Sequence, residues 1–161
     1  EGIIPRMSVG RNIAVGSLDA LSNRFGVIDK KRETQMGVDG KREFNIKTPD
    51  LEKPIVELSG GNQQKAIVAR WLLTQPRVLI LDEPTKGIDV GAKSEFYNMI
   101  CKFAKEGLAV ILISSEMPEV IGLSDRIVVM RGRRIVGEIP AAEATEETLL
   151  TMAMMEEHVH E

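Results

Sequence analysis

The rhythm of apolar positions changes near Gln75-Pro76. Upstream, apolar residues recur at helical spacing between polar loops. The charged stretch from Asp29 to Phe44 reads as a helix. Asn45-Ile46-Lys47-Thr48-Pro49-Asp50 breaks it, because proline disfavours helix in the residue before it. From Gly60 to about Leu73 good helix formers dominate, with Ser59 placed as the cap and Pro76 just past the end. Downstream, short apolar runs alternate with helical patterns. Val78 to Leu81 and Ala109 to Ile113 read as buried strands, and Ile127 to Met130 as a third. Val90 to Glu106 carries Phe96, Ile100 and Phe103 at helical spacing, and Gly107 is placed to cap its end. Pro118 to Gly122 reads as a short helix, Arg131-Gly132-Arg133 as a hairpin turn into Ile135-Val136, and Thr145 to about Met155 as a final amphipathic helix.

A strand, a helix and another strand in this order make a parallel crossover unit, whose strands end at one sheet edge. Asp82-Glu83 and Ser114-Ser115-Glu116 are therefore expected together at the carboxyl edge, where ligands of open α/β sheets bind. The expected class is α/β. Residues 1–75 form a helical part, 76–155 a sheet-containing part and 156–161 a tail.

Composition narrows the function classes. A chain of 161 residues can bury one ordinary core. Its formal net charge of -3 argues against a nucleic-acid binder, which would show a basic excess. Lys30-Lys31-Arg32 lies among acidic residues and reads as a solvated helix face. Cys101 is the sole cysteine, which rules out an internal disulfide and reads as a buried reduced thiol. The longest apolar run, Leu108 to Ile113, is far too short to span a bilayer. Glu1-Gly2-Ile3-Ile4-Pro5 has neither an initiator methionine nor a signal-peptide layout, and reads as a cut into a longer protein. His158 and His160 read as part of an unstructured end rather than a metal site.

Two segments carry candidate chemistry. In Leu58-Ser59-Gly60-Gly61-Asn62-Gln63-Gln64-Lys65, a serine and two glycines open a helix. Backbone N–H groups and the positive end of the helix dipole then face outward, and missing Cβ atoms let a phosphate approach. In Leu79-Ile80-Leu81-Asp82-Glu83-Pro84-Thr85, an apolar strand runs into two carboxylates. Such a pair is costly there unless a cation or water occupies the site. Asp82 suits magnesium, through its water shell, and Glu83 suits a general base that polarises an attacking water. Asp89 is placed to cap the helix that starts at Val90. No G-x-x-x-x-G-K-S/T phosphate loop occurs; the nearest look-alike, Gly37-Val38-Asp39-Gly40-Lys41-Arg42, has the wrong spacing and the wrong last residue.

These segments resemble the signature and Walker B motifs of ATP-binding-cassette (ABC) ATPases. With Leu79 to Lys93 and Ser114 to Arg126, they look like the C-terminal cassette of monosaccharide importers of the ribose and galactose type. The resemblance implies a partial P-loop NTPase cassette, a helical subdomain followed by the second half of the parallel-sheet core. It implies a chain that begins just after the second cassette's Q-loop region, without its phosphate loop. Ser59, Gly60, Gly61 and Gln63 would contact ATP held by the other cassette, Asp89 would sit in the D-loop that crosses to it, and Asp82 and Glu83 would serve a second site. Where the family places a histidine near the γ-phosphate, this chain has Ser115, which cannot supply the same reach or positive character. The implied cofactors are ATP and Mg2+. The implied partners are the other cassette, transmembrane permease subunits and, indirectly, a periplasmic sugar-binding protein, at the cytoplasmic face of the bacterial inner membrane. Nucleic acid is not among them. A chromosome-maintenance or repair ATPase head would insert long heptad stretches, and a translation-associated relative would carry long basic linkers; both are absent. An inert fragment is the remaining alternative.

Overall fold

The computed structural model describes residues 2–154; the expected tail at 156–161, with His158 and His160, lies outside them. The described elements are α1 (Val9–Ala14), α2 (Leu18–Leu21), α3 (Lys30–Glu43), α4 (Gly60–Leu72), β1 (Val78–Asp82), α5 (Val90–Lys105), β2 (Ala109–Ile113), α6 (Met117–Leu123), β3 (Arg126–Arg131), β4 (Arg134–Pro140) and α7 (Glu146–Met154). Two compact units divide them: residues 2–79 with 84–111, and residues 80–83 with 112–154. The first therefore takes α5 together with the N-terminal helices.

In the first unit α1 packs on α3 and α4, and α4 packs on α5. Asp29 starts α3 as expected, its carboxylate accepting from the Lys31 and Arg32 amides. Gly37 and Gly40 turn out to be packing residues on this helix. A Cβ on Gly37 would lie 3.0 Å from Gly10 Cα, and one on Gly40 would lie 2.6 Å from Ile13 Cγ2. The two glycines that mimic a phosphate loop thus let α1 approach α3. Lys30, Lys31 and Arg32 are exposed, as a solvated face should be. Sequence patterning gave no sign of the buried polar joint between α1 and α4. The fully buried Asn12 donates to the Ile4, Met7 and Ser8 carbonyls. Arg70, on α4, donates to the Asn12 carbonyl at 2.7 Å, to Asn12 Oδ1 at 2.8 Å and to the Gly2 carbonyl. Burial pushes the Arg70 guanidinium below its ordinary value, since the charged form loses hydration.

β1 and β2 pair with each other. The Ala109 amide donates to the Arg77 carbonyl and the Glu83 amide to the Ile113 carbonyl, so both strands run the same way, as the strand–helix–strand order requires. Gly107, at φ +99°, ends the α5 region in the expected place. The expectation of fully buried strands fails. In β1 only Leu79 and Leu81 are buried, while Val78 and Ile80 are exposed; in β2 Ile111 and Ile113 are exposed and no residue is fully buried. Cys101 is half-buried, not buried. In the second unit β3 and β4 form an antiparallel hairpin from Arg126↔Pro140 to Arg131↔Arg134, with an irregularity between Val129 and Met130. Gly132 and Arg133 both have positive φ, as a two-residue type I′ turn demands. Its core is Ile127, Ala141 and Leu149, lined by Met117, Val120 and Ile139. No helix among the described residues is long and apolar enough to cross a membrane.

Candidate functional site

Ser59 precedes α4 with extended backbone, φ -60° and ψ 154°, but its hydroxyl does not cap the helix. Its Oγ instead accepts from Asn62 Nδ2 at 2.9 Å. The Ser59 side chain therefore leaves the first-turn N–H groups of α4 uncapped, at the end of the helix dipole that favours an anion. Of the two glycines only Gly60 leaves room for a ligand: the nearest atom to a Cβ built there is the Gly87 carbonyl oxygen at 3.8 Å. On Gly61 the same Cβ would lie 2.6 Å from Ala92 Cβ, so its missing side chain also serves the contact with α5. Gln63 turns back on its own segment, its Nε2 donating to the Leu58 carbonyl at 2.8 Å. The residue beside Ser59 is Asn62, whose Oδ1 accepts from the Lys47 amide at 2.8 Å. In the sequence Asn62 counted only as part of the signature segment; its contact with Ser59 follows from an amide side chain three residues after the serine, one helical turn on.

Two lysines tie this segment to α5. The buried Lys65 pairs with Glu95 and also donates to the Asn45 carbonyl at 3.3 Å, and Lys47 reaches the same carboxylate at 3.2 Å. The hydrogen bond from Lys65, then that from Lys47, holds the Glu95 carboxyl below its ordinary range. Asp89 caps α5, its Oδ1 accepting from the Ala92 amide at 2.9 Å.

In the second unit the expected juxtaposition at the strand ends is present. Asp82 closes β1 with an exposed carboxylate. Glu83 follows at φ +46°, a left-handed conformation costing a non-glycine residue about 1–3 kcal/mol unless its surroundings hold it. Two bonds do so here. The Glu83 amide donates to the Ile113 carbonyl at 2.8 Å, and its Oε1 accepts from the Ser115 amide at 2.9 Å. Ser114 donates to the buried Glu119 carboxylate and accepts from the Glu116 amide at 3.0 Å. That leaves Ser115 as the exposed serine of the pair.

Motif order and geometry together match a known family. A profile described as ABC transporter matches residues 1–86, more than half of the chain. The chain belongs to the ABC transporter family. Among curated ABC relatives, an arabinose import ATP-binding protein of Mannheimia succiniciproducens is 54% identical over 97% of this chain and 31% of its own length. A ribose import ATP-binding protein of Rubrobacter xylanophilus is 48% identical over 95% of this chain and 31% of its own length. The chain thus spans about a third of the curated relatives it matches. Among solved structures, an ABC transporter cassette in dimeric form superposes with TM-score 0.71 at 18% identity, covering 86% of this chain and 59% of that one. Another ABC transporter ATP-binding cassette gives 0.74 at 16% identity, covering 94% and 64%. The fold is that of part of an ABC ATPase cassette, within the P-loop NTPase class.

Proposed function

We propose that the chain is the signature-bearing part of an ATP-binding protein that energises monosaccharide import. The names of the relatives, arabinose and ribose import ATP-binding proteins, support the substrate class. The observation that carries the nucleotide-site reading is the Glu83 carboxylate, fixed at the end of the paired strands by the Ser115 amide. One carboxylate oxygen is engaged by that amide, and the other can take the proton of a water attacking a terminal phosphate. Asp82, exposed beside it, fits magnesium, which takes one or two carboxylates and keeps water and phosphate oxygens as its other ligands. No group of three or more metal-ligating residues exists among the described residues, and that ion does not need one. Magnesium, when bound with ATP, would neutralise phosphate charge.

In this reading Ser59, Gly60 and Gly61 complete a site whose phosphates are held by a second cassette. Gln63 acts from behind, bracing the segment through Leu58. Asp89 stands at the D-loop crossing, and Ser115 stands in the histidine's position. The protein works at the cytoplasmic face of the bacterial inner membrane, docked on permease subunits that receive sugar from a periplasmic binding protein. Ser59→Arg in the complete importer tests the assignment, because an arginine in front of α4 blocks closure of one cassette on the other. Sugar uptake should be lost, and uptake at the wild-type rate overturns the reading.

A further inference from the structure

The proton of the Ser59 hydroxyl can point in several directions, and its direction decides what the group can bind. The structure sets that direction through Asn62. The Lys47 amide can only donate, and it points at Oδ1 of Asn62. The carboxamide is therefore oriented with its oxygen toward Lys47 and its nitrogen toward Ser59, where Nδ2 donates to Oγ. An Oγ that accepts from this amide has its own proton turned away from Asn62, and Ser59 is exposed, so that proton is available to a ligand. The Lys47 amide is itself held in place, because Ile46 and Thr48 on either side are buried.

We propose that Asn62 is a positioning residue that fixes the Ser59 hydroxyl as an outward donor to an anionic polyphosphate oxygen. The inference rests on the signature reading above and assigns the residue that makes that serine a donor. Asn62→Asp separates this role from a merely structural one. The substituted side chain keeps an oxygen for the Lys47 amide but offers Ser59 an acceptor, which draws the hydroxyl proton inward.

The test is Mg-ATP hydrolysis by the complete ATP-binding protein assembled with its permease, measured in a cycle of Ser59→Ala and Asn62→Asp. Ser59→Ala should lower turnover on the order of tenfold to a hundredfold, the range for one hydrogen bond to a charged group. Asn62→Asp should cost about as much when Ser59 is present and at most about twofold in the Ser59→Ala background. Asn62→Ala, which frees the hydroxyl to rotate, should show the same dependence on Ser59 with a smaller loss, and it replaces the aspartate variant if that one melts early. Wild-type turnover with Ser59→Ala overturns the signature reading and the inference with it. A loss from Ser59→Ala, with Asn62→Asp either harmless or equally costly in both backgrounds, overturns the inference alone.

Discussion

At Gly61 one missing methyl group decides how α4 meets α5. A Cβ there would overlap Ala92, whereas one on Gly60 would meet nothing closer than 3.8 Å. Gly61→Ala should therefore destabilise the fold by about 1–3 kcal/mol, the usual cost of overpacking. Gly60→Ala should change stability by less than about 1 kcal/mol. Urea unfolding midpoints of both variants check this, and adding Ala92→Gly to Gly61→Ala should restore the midpoint if the clash is the cause. Glu83 raises a different question, because Glu83→Gln keeps an oxygen for the Ser115 amide while losing the base. A site that depends on this base loses about 10²–10⁴-fold in rate. In the assembled transporter Glu83→Gln should nonetheless leave most turnover, because Ser115 lacks the histidine's contact, whereas the matching change in the other cassette should abolish it. Steady-state ATPase rates of the two single variants decide; complete loss with Glu83→Gln alone would show that this site fires as well.

At the scale of elements, the join between α4 and α5 is electrostatic as well as steric. Glu95 has its folded pKa held below the ordinary 4.5 by Lys65 and Lys47. A depressed carboxyl contributes stability that is present above its unfolded value and lost as pH falls through the lower folded one. Glu95→Gln should lower Tm at neutral pH, and the gap to wild type should close as pH drops below 4.5. Melting curves from pH 7 to pH 3 check the sign; a gap that widens in acid contradicts the assignment. The second join, Arg70 on Asn12, is a buried polar network. Arg70→Met should cost about 1–3 kcal/mol for each acceptor left buried without a donor, read from the same unfolding curves. Helix limits were legible because caps and breakers are local: Asp29, Asp89 and Gly107 each mark an end within two residues, and Pro76 lies four residues past the end of α4. The Asn12–Arg70 joint was not, since its partners lie 58 residues apart and neither pattern nor propensity links them.

For the whole molecule, exposure sets the behaviour of this polypeptide by itself. Val78 is 50% exposed, Ile80 64% and Ile111 50%, alternating with inward residues along β1 and β2. Open apolar strand faces of this kind favour association. The 161-residue chain should elute from size exclusion with a mass that rises with concentration; a sharp monomer at every concentration contradicts this. With no phosphate loop in its sequence, it should also fail to bind Mg-ATP at micromolar concentrations in a fluorescent-nucleotide titration.

The amino-acid sequence by itself determined the order and limits of most elements, the family, and the meeting of Glu83 with Ser115 at one strand edge. All of these follow from local spacing or from the connectivity of a parallel crossover. Tertiary structure alone decided which apolar residues are covered, because a run such as Ala109 to Ile113 reads the same whether one face or both are packed. It also decided that Gly61 packs against α5 while Gly60 is uncrowded, and that Asn62 stands beside the Ser59 hydroxyl while Gln63 turns back to Leu58. Those outcomes depend on what a distant segment brings into contact: Ala92 against Gly61, and the Lys47 amide against Asn62.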